Sequence, residues 1–211
     1  QRKDFNNRNK INTKNGPIWL TVPVKSSGRF HSLITDIKIE NKKWIAKHLK
    51  SIELNYKKTK YFDDYFENVE KILLAGHDRL VDLNYDYLVF GLASLGINTK
   101  VIKASNCHFE GTKSNLVLDM CIKLNADIYI FGEMGRNYAD IESFNGKKIY
   151  PYFQSYEHPH YSQKNVTFEP YMSFLDLLFN HGKNSLQIIM SSNISREGII
   201  NNTEITQNKP K

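Results

Sequence analysis

Two histidines one residue apart, His158 and His160, stand in the run YEHPHYSQ at residues 156–163. Unperturbed imidazole titrates close to neutral pH, so the pair offers general acid/base chemistry. Pro159 fixes its own φ and biases His158 toward extended backbone, which stiffens the strip that carries both rings. Alternate residues of an extended segment share a face, so the same spacing also suits metal ligands. Acidic residues are sparse there, and no second group of ligands stands elsewhere at metal spacing. Polar recognition of a small molecule is therefore expected, and no metal. Tyr161 and Gln163 add hydroxyl and amide groups able to orient a sugar or an amide.

A second group is Gly132, Gly135, Arg136 and Tyr138, in the run GEMGRNY directly after an apolar stretch. In α/β sheets ligands gather beyond the carboxyl ends of strands. Glycines there let backbone amides approach a phosphate, and Arg136 can grip one in bidentate fashion. A tight turn with a solvated arginine gives the same pattern. A third group is Asn7-Arg8-Asn9, in which Arg8 is an anion ligand by type and Asn9 its hydrogen-bonding neighbour, although a solvated loop gives the same pattern and is what the sequence alone favours. Cys107 and His108 are a nucleophile and a base by type, but adjacent residues on an extended strand point to opposite faces. That argues against a dyad between them and leaves Cys107 with a distant His158 as a minor alternative. His48 lies on an apolar helical stripe and reads as a packed core histidine.

The elements that must position these residues follow from periodicity. Residues 1–15 are polar and close with the turn signal Asn15-Gly16-Pro17. Strands are expected over 18–24 and 33–39, with a small loop at 26–29 between them. Asn41 is placed to cap a helix bearing Trp44, Ile45, His48, Leu49 and Ile52. Helices over 64–75 and 78–95 end at Gly76 and Gly96. From residue 99 the pattern becomes extended (100–105), helix capped by Thr112, strand (127–131) and extended (148–154). This alternation predicts an α/β fold with a mainly parallel sheet flanked by helices, and an additional helical segment in the first half. Ser173 and Asp176 resemble a capping box for a last helix ended by Gly182. One domain is expected over residues 1–190, and a mobile tail over 191–211.

The 211 residues suffice to bury a core, and 40% hydrophobic with 12% aromatic content excludes general disorder. A formal net charge of +7 favours an anionic partner, yet no Lys/Arg cluster is dense enough for specific nucleic-acid binding. Two cysteines make no disulfide framework, and no apolar run spans a membrane, so a reduced cytoplasmic chain is expected. The chain opens at Gln1 inside what reads as a continuing motif, and a preceding N-terminal piece is expected.

In this order the segments resemble the WbqC-like protein family of bacterial O-antigen and surface-polysaccharide gene clusters. The matching pieces are NNRNKI, NGPIWLTVPV, the Trp44 helix, LVDLNYDYL and LGINTKVIKAS, then GTKSNLVLDMCIKLNADIYIFG, GRNY and HPHYSQ…FEPYMSFLDLLFNHG. Together they cover about nine-tenths of the chain as ordered motifs. Family members open with a Gln-Pro-x-Tyr-x-Pro-Trp segment and an acidic residue that are absent here, and a small residue is usual where this chain has Phe131. The resemblance implies lipopolysaccharide or other surface-polysaccharide biosynthesis, with transfer of an acyl or aminoacyl group to the amine of a nucleotide-linked amino sugar. The acyl donor would be a carrier-protein or CoA thioester, and an acidic acyl carrier protein is a partner compatible with the basic charge. His158 or His160 would take the proton of the attacking amine, Arg8 or Arg136 would hold phosphate, and Tyr161 and Gln163 would position the sugar. The alternatives are a non-catalytic nucleotide-sugar or carrier-protein binding module, and a nucleotidyl-transfer or adenylate-forming enzyme. Fold alone does not separate them.

Overall fold

The computed structural model describes residues 5–25, 32–165 and 167–207. In chain order the regular elements are β1 (Arg8–Ile11), β2 (Ile18–Thr21), α1 (Lys43–Tyr56), α2 (Phe62–Leu74), α3 (Leu80–Ser94), α4 (Lys113–Lys123), β3 (Ile128–Phe131), α5 (Ile141–Gly146), β4 (Tyr150–Phe153), α6 (Phe174–His181), α7 (Ser185–Met190) and α8 (Arg196–Gln207). They gather into two compact units. The first takes residues 1–99 and 158–188, the second residues 100–157 and 189–211.

The first unit opens with a hairpin. β1 and β2 pair antiparallel, with Arg8 opposite Thr21 and Lys10 opposite Trp19. The Asn15-Gly16 turn closes it through paired Thr13 and Gly16 backbone bonds, with Gly16 at φ 94°, where a residue without Cβ avoids strain. The polar residues before this turn therefore include a strand that periodicity did not reveal, because only Ile11 of β1 is buried. Three helices follow as expected, within a few residues of the expected ends. Asn41 accepts from the Lys43 amide at 3.0 Å, one residue ahead of the N-cap position, where Lys42 stands without a side-chain cap bond. Trp44, Ile45, Ile52 and Tyr56 of α1 pack with Phe62, Val69 and Leu73 of α2 and Leu80 and Leu83 of α3. Leu175 and Phe179 of α6 complete that core.

Residues 33–39 are not a strand. Leu33 precedes a 3-10 turn at Ile34–Asp36, and only single bridges, Lys38 to Arg79 and Ile39 to Val24, follow it. One bridge at a time cannot build a ladder, although Ile39 still reaches the core. The loop expected at 26–29 lies outside the described residues.

The second unit contains the strand–helix–strand segment. β3 and β4 pair in parallel, Ile128 opposite Tyr150 and Phe131 opposite Phe153, with α5 in the connection between them. A parallel pair needs such a crossover. Cys121, Phe131, Phe144 and Ile149 are its buried centre. Residues 100–105 form no strand here: a 3-10 turn at Ala104–Asn106 interrupts them. Thr112 precedes α4 without a side-chain cap bond. The segment read as a tail contains α8.

The fold is thus α/β, but the expectation of a mainly parallel sheet is corrected. The described strands form two separate two-stranded sheets, one antiparallel and one parallel. The stretches 100–105 and 33–39 add no strand to a ladder, because the first is interrupted by a 3-10 turn and the second makes isolated bridges.

Candidate ligand-binding site

In the first unit a cavity of about 370 Å³ opens between the β1–β2 hairpin, α1, α3 and the start of α6. Its floor is apolar, supplied by Ile11, Ile52, Leu73 and Leu83, and Tyr87 and Phe174 form part of its wall. Polar groups enter from the hairpin (Arg8, Asn9), from α1 (His48) and from α3 (Asn84). No Asp or Glu is among the residues lining it. The rim is fixed by its own hydrogen bonds. Asn84 donates to the Asn6 carbonyl at 2.9 Å, Asn7 donates to the Val22 carbonyl at 2.9 Å, and the Ser173 amide donates to the Lys10 carbonyl at 2.8 Å.

Arg8 is the one cation among the lining residues. Its guanidinium lies 4.2 Å from the centre of the Trp19 ring, which fixes its plane through a cation–π contact. Its Nε is buried and, among the described residues, has no hydrogen-bond partner. Trp44 Nε1, on the same cavity wall, is likewise a buried donor without an acceptor among the described residues. Unanswered buried donors favour a ligand that brings acceptor oxygens. His48 is buried, its ring 4.7 Å from that of Trp44 in an edge arrangement. Burial lowers its pKa to about 4, with a bond to the Thr21 backbone opposing the shift. It is therefore neutral at physiological pH. The histidine read as core is core, and it also lines the cavity.

Segments far apart in sequence meet at this cavity, among them residues 5–11, the Trp44 helix, residues 83–88 and residues 173–175. The WbqC-like protein family model matches residues 1–188. The chain belongs to the WbqC-like protein family. An uncharacterized protein of Mycobacterium tuberculosis, Rv1507c, is 32% identical over 183 residues, covering 86% of this chain and 79% of that protein. No solved structure matches the chain. The segments of this WbqC-like chain that carry the resemblance include those that build the cavity wall.

The histidine strip is also in the first unit, and its groups are largely engaged within the fold. His158 is half-buried, and its Nε2 accepts from the Tyr171 amide at 3.2 Å. Burial lowers its pKa, which suits an unprotonated Nε2. Tyr171 itself holds φ at 58°, an uncommon conformation for an aromatic residue. His160 is exposed, with its ring 4.1 Å from that of Phe168.

Tyr161 and Gln163 converge on Asp176, a residue that sequence reading took for part of a helix cap. Asp176 is 1% exposed and accepts from Tyr56 Oη at 2.8 Å, Tyr161 Oη at 3.0 Å and Gln163 Nε2 at 2.9 Å. Gln163 Oε1 in turn accepts from Asn12 Nδ2 at 3.0 Å and from the Glu169 amide at 2.8 Å. Burial raises the Asp176 pKa, and the three donors oppose that shift. The same burial pushes the Tyr56 hydroxyl well above its ordinary value. A satisfied network of this kind joins the strip to α1 and α6. Ser173 does cap α6, accepting from the Leu175 amide at 3.4 Å, but the reciprocal carboxylate points instead into this network.

Gly132, Gly135, Arg136 and Tyr138 belong to the second unit. Gly135 packs directly against Phe131, so close that a Cβ there would meet the Phe131 ring at 2.7 Å. The room that a small residue would leave beside this turn is filled by Phe131. The Gly135 amide donates to Gly132 at 2.8 Å, and Arg136 pairs with Glu133 at 3.2 Å while its guanidinium lies 4.7 Å from the Phe153 ring centre. Gly132, Arg136 and Tyr138 are exposed. Cys121 is buried in this unit's core, and burial raises its pKa. Among the described residues, no three His, Cys, Asp or Glu side chains gather as a metal site. No described helix is long and apolar enough to cross a membrane.

Arg8 and Asn9, singled out from the sequence, both line the first unit's cavity. Sequence reading missed the wall that faces them, because Asn84 and Tyr87 lie in α3, a helix apolar nearly all round, where they pass for surface and core. The signal available was a polar amide within such a helix.

Proposed function

We propose that this chain acts in surface-polysaccharide biosynthesis, binding a nucleotide-linked amino sugar at the first unit's cavity and passing an acyl or aminoacyl group to its amine. The observation that carries this reading is Arg8. Its guanidinium is fixed on Trp19 and lacks a counter-charge among the residues lining a cavity with an apolar floor. A phosphate answers that charge, and the polar side chains beside it answer sugar hydroxyls. In the transfer step the amine attacks the thioester carbonyl, a C–N bond forms, the C–S bond breaks and the thiol leaves. The amine's surplus proton goes to a base and on to the departing sulfur; His160 is proposed over His158 because His158 Nε2 already accepts from Tyr171, and neither ring is among the residues lining the cavity. Arg8 is preferred to Arg136 for the phosphate because Arg136 is already paired with Glu133.

Calorimetric titration with a panel of UDP- and dTDP-linked amino sugars tests the reading. Wild-type protein is expected to bind at least one, and Arg8→Ala to weaken it roughly tenfold or more, the loss of a charge-assisted hydrogen bond. Absence of binding across the panel overturns it.

A second reading, a non-catalytic nucleotide-sugar or carrier-protein binding module, is favoured by the two buried or half-buried imidazoles. His48 is held far below the range useful to a base for an ammonium, and His158 is engaged. Turnover with an acyl-carrier or CoA thioester, abolished in His160→Ala, excludes the module. Sugar binding without turnover supports it.

A further inference from the structure

The cavity is small for the ligand proposed. About 370 Å³ stands near the lower end of the range for small-molecule sites, roughly 300–1,000 Å³. It holds a sugar ring with its amine, whereas a nucleoside diphosphate must lie outside. The direction it takes is set by Arg8, the cation at the hairpin edge of the cavity, because the phosphates must stay near that charge.

Beyond Arg8 the hairpin presents aromatic surface. Trp19 keeps 43% of its surface exposed and Phe5 keeps 59%, with ring centroids 5.3 Å apart and planes tilted by 54°. Phe5 and Arg8 both line the cavity, and both contact Trp19. Lys10, opposite Trp19 across the hairpin, brings a second cation to 5.9 Å from the ring centre. An exposed tryptophan and two cations on one short hairpin, with a second aromatic in the 3-10 turn just before it, are the parts of a platform for a planar group bearing phosphates.

We infer that Trp19, with Phe5, stacks the nucleobase of the nucleotide sugar, so that base, diphosphate and sugar follow one another from Trp19 past Arg8 into the cavity. This rests on the reading of the cavity as a nucleotide-sugar site and adds to it which residue meets the base. Trp19 recognises the π-face of any base. The platform therefore sets affinity for the nucleotide portion and leaves the choice of sugar to the cavity.

The test compares three probes by calorimetry: the nucleotide sugar of the panel that binds best, its nucleoside diphosphate, and its sugar 1-phosphate. Trp19→Ala is expected to weaken the first two roughly tenfold more than the sugar 1-phosphate, the scale of one base–aromatic stack; any loss on the sugar 1-phosphate reads only the support that Trp19 gives Arg8. Retained sugar 1-phosphate binding also shows that the variant is folded. Trp19→Phe should recover most of the lost affinity. If Trp19→Ala binds the nucleotide sugar like wild type, or weakens all three probes alike, the stacking role is overturned while the cavity reading stands. If wild-type protein binds none of the probes, both fall together.

Discussion

His48 ties the cavity to pH. Burial holds its folded pKa at about 4, below the ordinary 6.5, so the unfolded chain binds a proton that the folded chain resists. Between those values the unfolded state carries more protons, and stability rises with pH. The contribution is complete above about 6.5 and is lost progressively as pH falls toward 4. The span corresponds to at most about 3 kcal/mol. Urea midpoints measured from pH 7.5 down to 4 should fall more steeply for wild type than for His48→Gln, whose side chain has no proton to gain. Parallel slopes would show that the imidazole is not held neutral by the fold. Asp176 works in the opposite sense: its burial favours the protonated form, and the hydroxyls of Tyr56 and Tyr161, the Gln163 amide and the nearby His181 limit that penalty.

At the scale of elements, α6 shows how one helix end is fixed by a neighbour. Gly182 closes it at φ 55°, and a Cβ there would meet the Tyr61 ring at 2.7 Å. Gly96, after α3, has a comparable φ of 70° but open space around it. Gly96→Ala should thus show the backbone cost alone, about 1 kcal/mol, whereas Gly182→Ala should add a steric cost of about 1–3 kcal/mol. Equal shifts in denaturation midpoint would remove the Tyr61 contact from the account. Gly182 was legible as a helix stop; the ring against it was not, because Tyr61 is 121 positions away in sequence, the difference of the two residue numbers. The same contrast holds across the fold. α1, α2 and α3 were legible because their apolar residues recur at helical spacing, and β3 and β4 because their runs are short, β-rich and bounded by turns. β1 was not, since Arg8, Asn9 and Lys10 are extended by pairing with β2 rather than by burial. In the site, Arg8 could be picked out by type. Asp176 could not, because its capping-box spacing offered a sufficient local explanation that long-range hydrogen bonds displace.

For the molecule as a whole, the consequential feature is that the first unit is discontinuous. Residues 1–99 supply the hairpin and three helices, but 158–188 supply Leu175 and Phe179, buried among Ile52, Tyr56, Phe62 and Leu73. Each such side chain stabilises the fold by about 1.5–3 kcal/mol. The later segment also brings Asp176 to Tyr56, and Phe179 accepts from the Tyr61 amide at 3.1 Å. A chain ended after residue 157 would leave that apolar surface open and the Tyr56 hydroxyl without its carboxylate. Both tryptophans, Trp19 and Trp44, belong to the first unit, so their emission reports on it alone. Tryptophan emission of the full chain should shift in one cooperative urea transition, whereas the truncated chain should start red-shifted and change gradually. A sharp transition near the wild-type midpoint in the truncated chain would mean that the hairpin and the first three helices fold cooperatively without the later segment. The strip from His158 would then act on ligand rather than on the fold, and the network around Asp176 would lose its structural role.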